Sequence, residues 1–141
     1  MRSMKKKLKK FDNELAGGIV FYKNEGIILL LKKEHNHWEI PGGKVNNNKE
    51  NIKAAALREI EEEIGAKVKI EKYVGFVDFE IKNKCYRSHV FICKANKKPK
   101  LNEPEKFYAV GIFPLEKVEK LDLAPNVKAI LKLLREEEWI K

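Results

Sequence analysis

PGGKVNNNKENIKAAALREIEEEIGA, residues 41–66, divides into three parts. Pro41, Gly42 and Gly43 open it as a loop, a helical run of about four turns follows, and Gly65 stands where a helix C-cap glycine belongs. On a helical wheel at about 100° per residue, Ile52, Ala56, Leu57, Ile60 and Ile64 share one face, which must pack against another element. Glu59, Glu62 and Glu63 lie three and four residues apart and form a neighbouring carboxylate cluster. Glu63 falls between Ile52 and Ala56, at the edge of the apolar arc.

As plain helix design this is unfavourable. Like charges at these spacings repel, and anions are badly placed near a helix C-terminus, each effect costing a few tenths of a kcal/mol on the order of magnitude. A positive partner is therefore expected. A divalent cation with a preference for hard oxygen ligands would supply it: Mg²⁺ keeps several waters and combines carboxylates with substrate phosphates. The alternative is a solvated acidic face with no ligand.

The spacing of these residues resembles the signature of the Nudix hydrolases, in which Gly, five residues, Glu and seven residues precede Arg-Glu-hydrophobic-x-Glu-Glu-x-Gly-hydrophobic. Here Glu50 is followed by seven residues and then by Arg58, Glu59, Ile60, Glu61, Glu62, Glu63, Ile64 and Gly65. There are two departures. Six residues separate Gly43 from Glu50, so Asn46-Asn47-Asn48 reads as a loop enlarged by one residue, and the last hydrophobic position is the small Ala66.

Composition fits one globular domain. The chain has 141 residues, 43% of them hydrophobic, enough for a single core, and no apolar run reaches the 18 or so residues of a membrane span. The basic start leads into polar sequence instead of an apolar core, so a cytoplasmic protein is expected. The net charge of +9 invites a nucleic-acid reading, but Arg2, Lys5, Lys6, Lys7, Lys9 and Lys10 carry most of it; without them 24 basic residues face 21 acidic ones. Residues 1–13 read as a basic, flexible segment ahead of a domain spanning 14–141, and no specific nucleic-acid partner is expected. Lysine and glutamate are abundant and the chain has neither Gln nor Thr, a weak pointer to a thermophile or an AT-rich genome. Cys85 and Cys93 form no metal or redox motif and read as free thiols filling apolar space.

Along the chain, Glu14 to Tyr22 reads as a first strand, with Gly17-Gly18 marking a bulge or a close backbone approach. Gly26 to Leu31 (GIILLL) is a continuous apolar run suited to a strand buried on both faces at the centre of a sheet. His35 and His37 read as solvated. Val68 to Lys82 and Cys85 to Ala95 form a hairpin with its tip at Asn83-Lys84, the first strand broken by Gly75. Tyr108 to Pro114 is a further strand and Leu115 to Val118 a brief turn. Pro125 to Trp139 is an amphipathic helix with Val127, Ile130, Leu131 and Leu134 inward. Strands before, between and after two separated helices predict an α/β protein with a mixed sheet covered on opposite faces. The order resembles the Nudix fold, an α/β/α sandwich.

The resemblance implies metal-dependent hydrolysis of a nucleoside diphosphate linked to a further group. The residues suit that chemistry, because phosphoryl transfer needs charge neutralisation and positioning more than covalent help. Glu59, Glu62 and Glu63 are the expected metal ligands, for Mg²⁺ or in its place Mn²⁺, and one of them or a later carboxylate serves as general base. Arg58 is expected to pair with a neighbouring glutamate and fix its rotamer, and Glu50 to support the ligands from the helix start. Gly42 and Gly43 would let backbone approach the pyrophosphate, and Lys44 would add a point charge. In the Glu103-Pro104-Glu105-Lys106 stretch, Glu105 is expected to complete the metal site, with Glu103 in reserve. Trp38 is a candidate wall of the base pocket. Asn126, at the start of the last helix, is a candidate reader of a purine edge through its paired donor and acceptor, or else an N-cap. The leading expectation is a MutT-like nucleoside triphosphate pyrophosphohydrolase, working on a nucleotide as a monomer or homodimer. The alternatives are a hydrolase of diadenosine polyphosphates or ADP-ribose, and a non-catalytic nucleotide- or RNA-binding module.

Overall fold

Strand β1 (Asn13–Tyr22) runs parallel to β6 (Lys84–Ala95) along its whole length, from Asn13 against Tyr86 to Tyr22 against Ala95. The computed structural model describes residues 11–46 and 50–137. Between and beyond these strands come β2 (Gly26–Lys32), β3 (His37–Glu39), β4 (Gly42–Lys44), α1 (Ile52–Ile64), β5 (Val68–Ile81), β7 (Phe107–Phe113), the single turn α2 (Leu115–Val118) and α3 (Pro125–Glu136). The sheet is mixed, in the order β3-β2-β1-β6-β5, with β4 on β1 and β7 on β2. Every pairing except β1 with β6 is antiparallel.

The continuous apolar run of β2 has the expected cause. Ile27 and Leu29 enter the core shared with Val127, Ile130, Leu131 and Leu134 of α3, while Ile28 and Leu30 enter the core shared with Ala55, Ala56, Ile60 and Ile64 of α1. A strand covered by helices on both sides needs apolar residues at every position. The two cores define the α/β/α sandwich, with α1 and α3 on opposite faces. Strand β2 is internal, flanked by β7 along one edge and by β1 and β3 along the other.

Helix α1 is delimited by its caps. Asn51 accepts a hydrogen bond from the Ala54 amide at 2.8 Å, and Gly65 takes the left-handed conformation (φ 62°) with its N–H on the Glu61 carbonyl, satisfying orphan groups at both ends. Its buried face is Ala55, Ala56, Ile60, Glu63 and Ile64, so Ala55 joins the expected face and Leu57 is only half-buried.

Several local expectations are corrected. Gly42 to Lys44 is a short strand on β1, not a loop. Strand β5 continues through Gly75 (φ 148°), where the register against β6 shifts; the glycine makes a bulge and not a break. The hairpin tip is Lys82-Asn83, both at positive φ, as a two-residue turn requires. Strand β1 starts at Asn13, and the Asp12 amide donates to the Cys85 carbonyl at 2.7 Å, so residues 11–13 are tied to the domain. The basic residues 1–10 and Trp139 lie outside the described residues. Cys93 is buried and free as expected, its thiol pushed up to about 12 by desolvation. His37 is not solvated: its Nε2 meets Glu39 Oε2 at 2.8 Å.

The Gly17-Gly18 pair marks a close approach. A Cβ at Gly17 would stand 2.5 Å from the Pro41 carbonyl oxygen and 3.0 Å from the Gly42 Cα, which is how β4 reaches β1. Gly17→Ala therefore forces backbone apart. We expect a loss of about 1–3 kcal/mol in urea unfolding, with the amide shifts of Pro41-flanking residues displaced in NMR spectra.

Candidate active site

The carboxylates of α1 stand at three depths. Glu63 is buried at 6% exposure, and its Oε1 accepts a hydrogen bond from the Gly42 amide at 2.9 Å. Glu59 is half-buried and packs against β4: a Cβ on Gly43 would meet Glu59 Oε1 at 2.3 Å. Glu62 is exposed. The two glycines thus admit the α1 carboxylates and strand β1, since a Cβ on Gly42 would lie 2.7 Å from both the Ala16 carbonyl oxygen and the Gly17 Cα. In this structure that is the approach they permit.

Arg58 supplies the positive partner that the cluster demands. Its Nε and Nη2 donate to the two Glu50 oxygens at 2.8 and 2.9 Å, its Nη1 donates to Glu59 Oε2 at 2.8 Å and to Glu62 Oε1 at 3.1 Å, and Nη2 also reaches the Lys44 carbonyl at 3.0 Å. The fork geometry that suits guanidinium to carboxylate makes Glu50 a bidentate anchor. Glu50 also accepts from the Asn46 amide at 3.1 Å. Arg58, followed by the Asn46 amide, holds the Glu50 carboxyl down at about 2, and Glu50 in turn raises the Arg58 guanidinium. The Lys44 side chain itself is exposed.

Glu63 behaves in the opposite way. Desolvation pushes its carboxyl up to about 8, with further contributions from the Glu103 and Glu59 charges against the opposing pull of the Gly42 amide and Lys106. The Glu103 charge is thus felt at Glu63. Glu103 Oε1 is buried without a hydrogen bond, and the 3.6 Å separation from Lys106 Nζ is an ion-pair contact beyond hydrogen-bonding reach. Glu105 is exposed. Of the two carboxylates named from sequence in this loop, Glu103 is half-buried with one oxygen out of water, whereas Glu105 lies at the surface.

A desolvated carboxyl, a neighbouring half-buried carboxylate and a buried acceptor oxygen with no donor form a set that fits a hard divalent cation. Among the described residues no three His, Cys, Asp or Glu side chains stand ready at ligand spacing. Arg58 draws Glu59 and Glu62 onto its own donors, so binding an ion requires those oxygens to turn.

On the other face, Trp38 packs edge-on against Phe113 at 4.8 Å between ring centroids. Its amide donates to the Asp122 carbonyl at 2.8 Å, and its carbonyl accepts from the Ala124 amide at 3.0 Å. This fixes β3 to the entrance of α3, so Trp38 and the half-buried Asn126 are set in one region. The N-cap position is Ala124, and no side chain caps α3; Asn126 is not occupied as a cap. Sequence reasoning missed Lys106 and Asn102, whose Nδ2 donates to the Glu62 carbonyl at 2.7 Å. No periodic or motif signal marks either.

The NUDIX domain model matches residues 13–134, and the chain belongs to the Nudix family. A segment of 47 residues is 51% identical to the Bacillus subtilis (strain 168) protein named "Putative 8-oxo-dGTP diphosphatase YtkD", covering 33% of this chain and 29% of that protein; the match thus spans under a third of the relative's length. Among solved structures, the MutT protein of Methanosarcina mazei Go1 superposes with a TM-score of 0.78 at 24% identity, over 93% of this chain and 99% of the other. A C. elegans Ap4A hydrolase gives 0.74 at 21% identity, over 88% and 96%. At these identities the two structures show the shared fold. Among the described residues no helix is long and apolar enough to cross a membrane.

The raised Glu63 carboxyl has a consequence for stability. Above the usual 4.5 the unfolded chain gives up this proton, while the folded chain keeps it until about pH 8. Each rise in pH across that window therefore favours unfolding. In EDTA, the Tm of wild type should fall from about pH 5 to pH 8 more steeply than that of Glu63→Gln. Parallel Tm profiles from differential scanning calorimetry would contradict the buried-acid assignment.

Proposed function

We propose that this Nudix domain is a divalent-metal-dependent pyrophosphohydrolase of the MutT type, cleaving a nucleoside triphosphate, including base-oxidised dNTPs, to monophosphate and pyrophosphate. The observation that supports this is the burial of Glu63 on the Gly42 amide beside the half-buried Glu59, together with one Glu103 oxygen that is buried without a hydrogen bond. Glu59, Glu62, Glu63 and Glu103 are the proposed metal ligands, Glu103 taking the place expected for Glu105. Mg²⁺ is the proposed ion, with Mn²⁺ as a substitute. When bound, the ion neutralises phosphate charge and lowers the pKa of a coordinated water.

The remaining work falls to the chain. Arg58 and Glu50 hold the Glu59 and Glu62 side chains in a narrow set of rotamers beside the site, and the exposed Lys44 side chain can meet phosphate as a point charge. A carboxylate of the cluster takes the proton from the attacking water as a P–O anhydride bond breaks and the pyrophosphate leaves. Residues 38–43 join the two sides of the sheet: Trp38 and Ile40 belong to the α3 core, whereas Gly42 and Gly43 meet the carboxylates of α1. A nucleotide laid across this segment would place its base toward Trp38 and Asn126 and its phosphates toward the acidic cluster. The similarity to the Bacillus protein supports an oxidised purine as substrate.

The test is a substrate panel with Mg²⁺: NTPs, oxidised dGTP, diadenosine tetraphosphate and ADP-ribose, with products separated by chromatography. Monophosphate plus pyrophosphate is expected. AMP plus ribose phosphate, or binding without turnover, would replace this reading by an ADP-ribose hydrolase or a non-catalytic module. Glu62→Gln should lower kcat by about 100-fold or more while leaving the fold intact, since a lost ligand weakens charge stabilisation in the transition state; near-normal turnover in steady-state assays would remove Glu62 from the site.

A further inference from the structure

The loop between β6 and β7 is attached to the end of α1 by two hydrogen bonds. The Lys100 amide donates to the Ile64 carbonyl at 2.6 Å, and Asn102 Nδ2 donates to the Glu62 carbonyl at 2.7 Å. Both carbonyls belong to the last turn of the helix, whose acceptors have no partner within the helix, and no basic side chain lies in that turn. The fit is close: a Cβ on Gly65 would meet the Asn102 side chain and Lys100 Cβ at 3.3 Å. Directly after Asn102 comes Glu103. Its carbonyl accepts from the Lys106 and Phe107 amides at 3.0 and 3.1 Å, a turn that leads into β7.

Glu103 is thus held between two anchors, the Asn102 clasp on α1 before it and the turn into β7 after it. Its own carboxylate contributes no hydrogen bond at Oε1. Among the described residues the Asn102 bond is the one side-chain hydrogen bond from this loop to α1. It grips the backbone of Glu62, the residue next to Glu63. We infer that Asn102 is a positioning residue: by clasping the Glu62 carbonyl it sets where the Glu103 carboxylate stands relative to the end of α1. This rests on the reading of Glu103 as a metal ligand. A donor is required, because the acceptor is a carbonyl, so neither an ionised carboxylate nor an apolar side chain can replace the Asn102 amide.

The experiment is a double-mutant cycle on the full chain with N102A, E103Q and the pair, read by Mn²⁺ titration in EPR and by thermal melting, with turnover measured separately. N102A should weaken Mn²⁺ binding about tenfold, the scale of residues that orient metal ligands, with kcat falling more than nucleotide KM changes. Added to E103Q, it should weaken Mn²⁺ binding no further, since both act through the same carboxylate. Retention of the amide in N102Q should recover part of the loss. Wild-type Mn²⁺ affinity in N102A with only a lowered Tm would overturn the inference and leave Asn102 a simple helix cap, as would additive losses in the pair. Wild-type affinity in E103Q would instead remove Glu103 from the metal site. If N102A alone is too unstable to titrate, the difference between N102Q and N102S carries the comparison: Gln should bind Mn²⁺ more tightly than the short Ser, and equal affinities count against the clasp.

Discussion

The hydrogen bond from the Gly42 amide to the buried Glu63 carboxyl organises the molecule around it. A carboxylate removed from water is costly unless donors or a cation compensate it, and it otherwise keeps its proton. Desolvation outweighs the Gly42 amide, the one hydrogen-bond donor to Glu63 among the described residues, and the pull of Lys106, so its carboxyl is pushed up to about 8. Meeting Gly42 at all demands that β4 come within reach of α1, and β4 can do so only because Gly17, Gly42 and Gly43 have no side chains to hold the layers apart. Sheet, helix and glycines therefore satisfy one constraint together.

Arg58 resolves the second tension in the same helix. Three carboxylates lie within reach of one guanidinium, and Glu50 takes two of its donors as a fixed pair. Because Glu50 lies before the helix and Lys44 at the end of β4, Arg58 ties both connections to α1 as well as holding Glu59 and Glu62. These groups are partly exposed, with the Arg58 side chain at 33%, so their value lies less in net stability than in restricting where Glu59 and Glu62 can point.

Much of this was legible in residues 41–66. The helical spacing of Ile60 and Ile64, the glycine at position 65 and the edge position of Glu63 are local consequences of a 3.6-residue period, and each recurs in the structure. The pattern of GIILLL gave a strand covered on both faces for the same kind of reason: a period that is absent reports burial on both sides. The pairing of Arg58 with its neighbours could be anticipated because Glu59 and Glu62 lie one and four residues on along the same helix and Glu50 only eight residues before it. What was not legible lies in irregular segments. Gly42-Gly43-Lys44 has too few residues for a pattern, so its pairing with β1 leaves no periodic trace in the sequence. The difference in exposure between Glu103 and Glu105 depends on the course of a loop that Asn102 hydrogen-bonds to α1, and neither residue belongs to a repeat that would indicate it.

The sequence by itself determined the sandwich, the carboxylate-bearing helix and the family, because these rest on periodicities and spacings within one continuous stretch. Only the tertiary structure decided which carboxylates share a site, which are exposed and which glycine serves which approach. Those outcomes depend on contacts between residues tens of positions apart, such as Asn102 with Glu62 and Gly42 with Glu63, and the distances that matter there are set by packing and not by position in the chain.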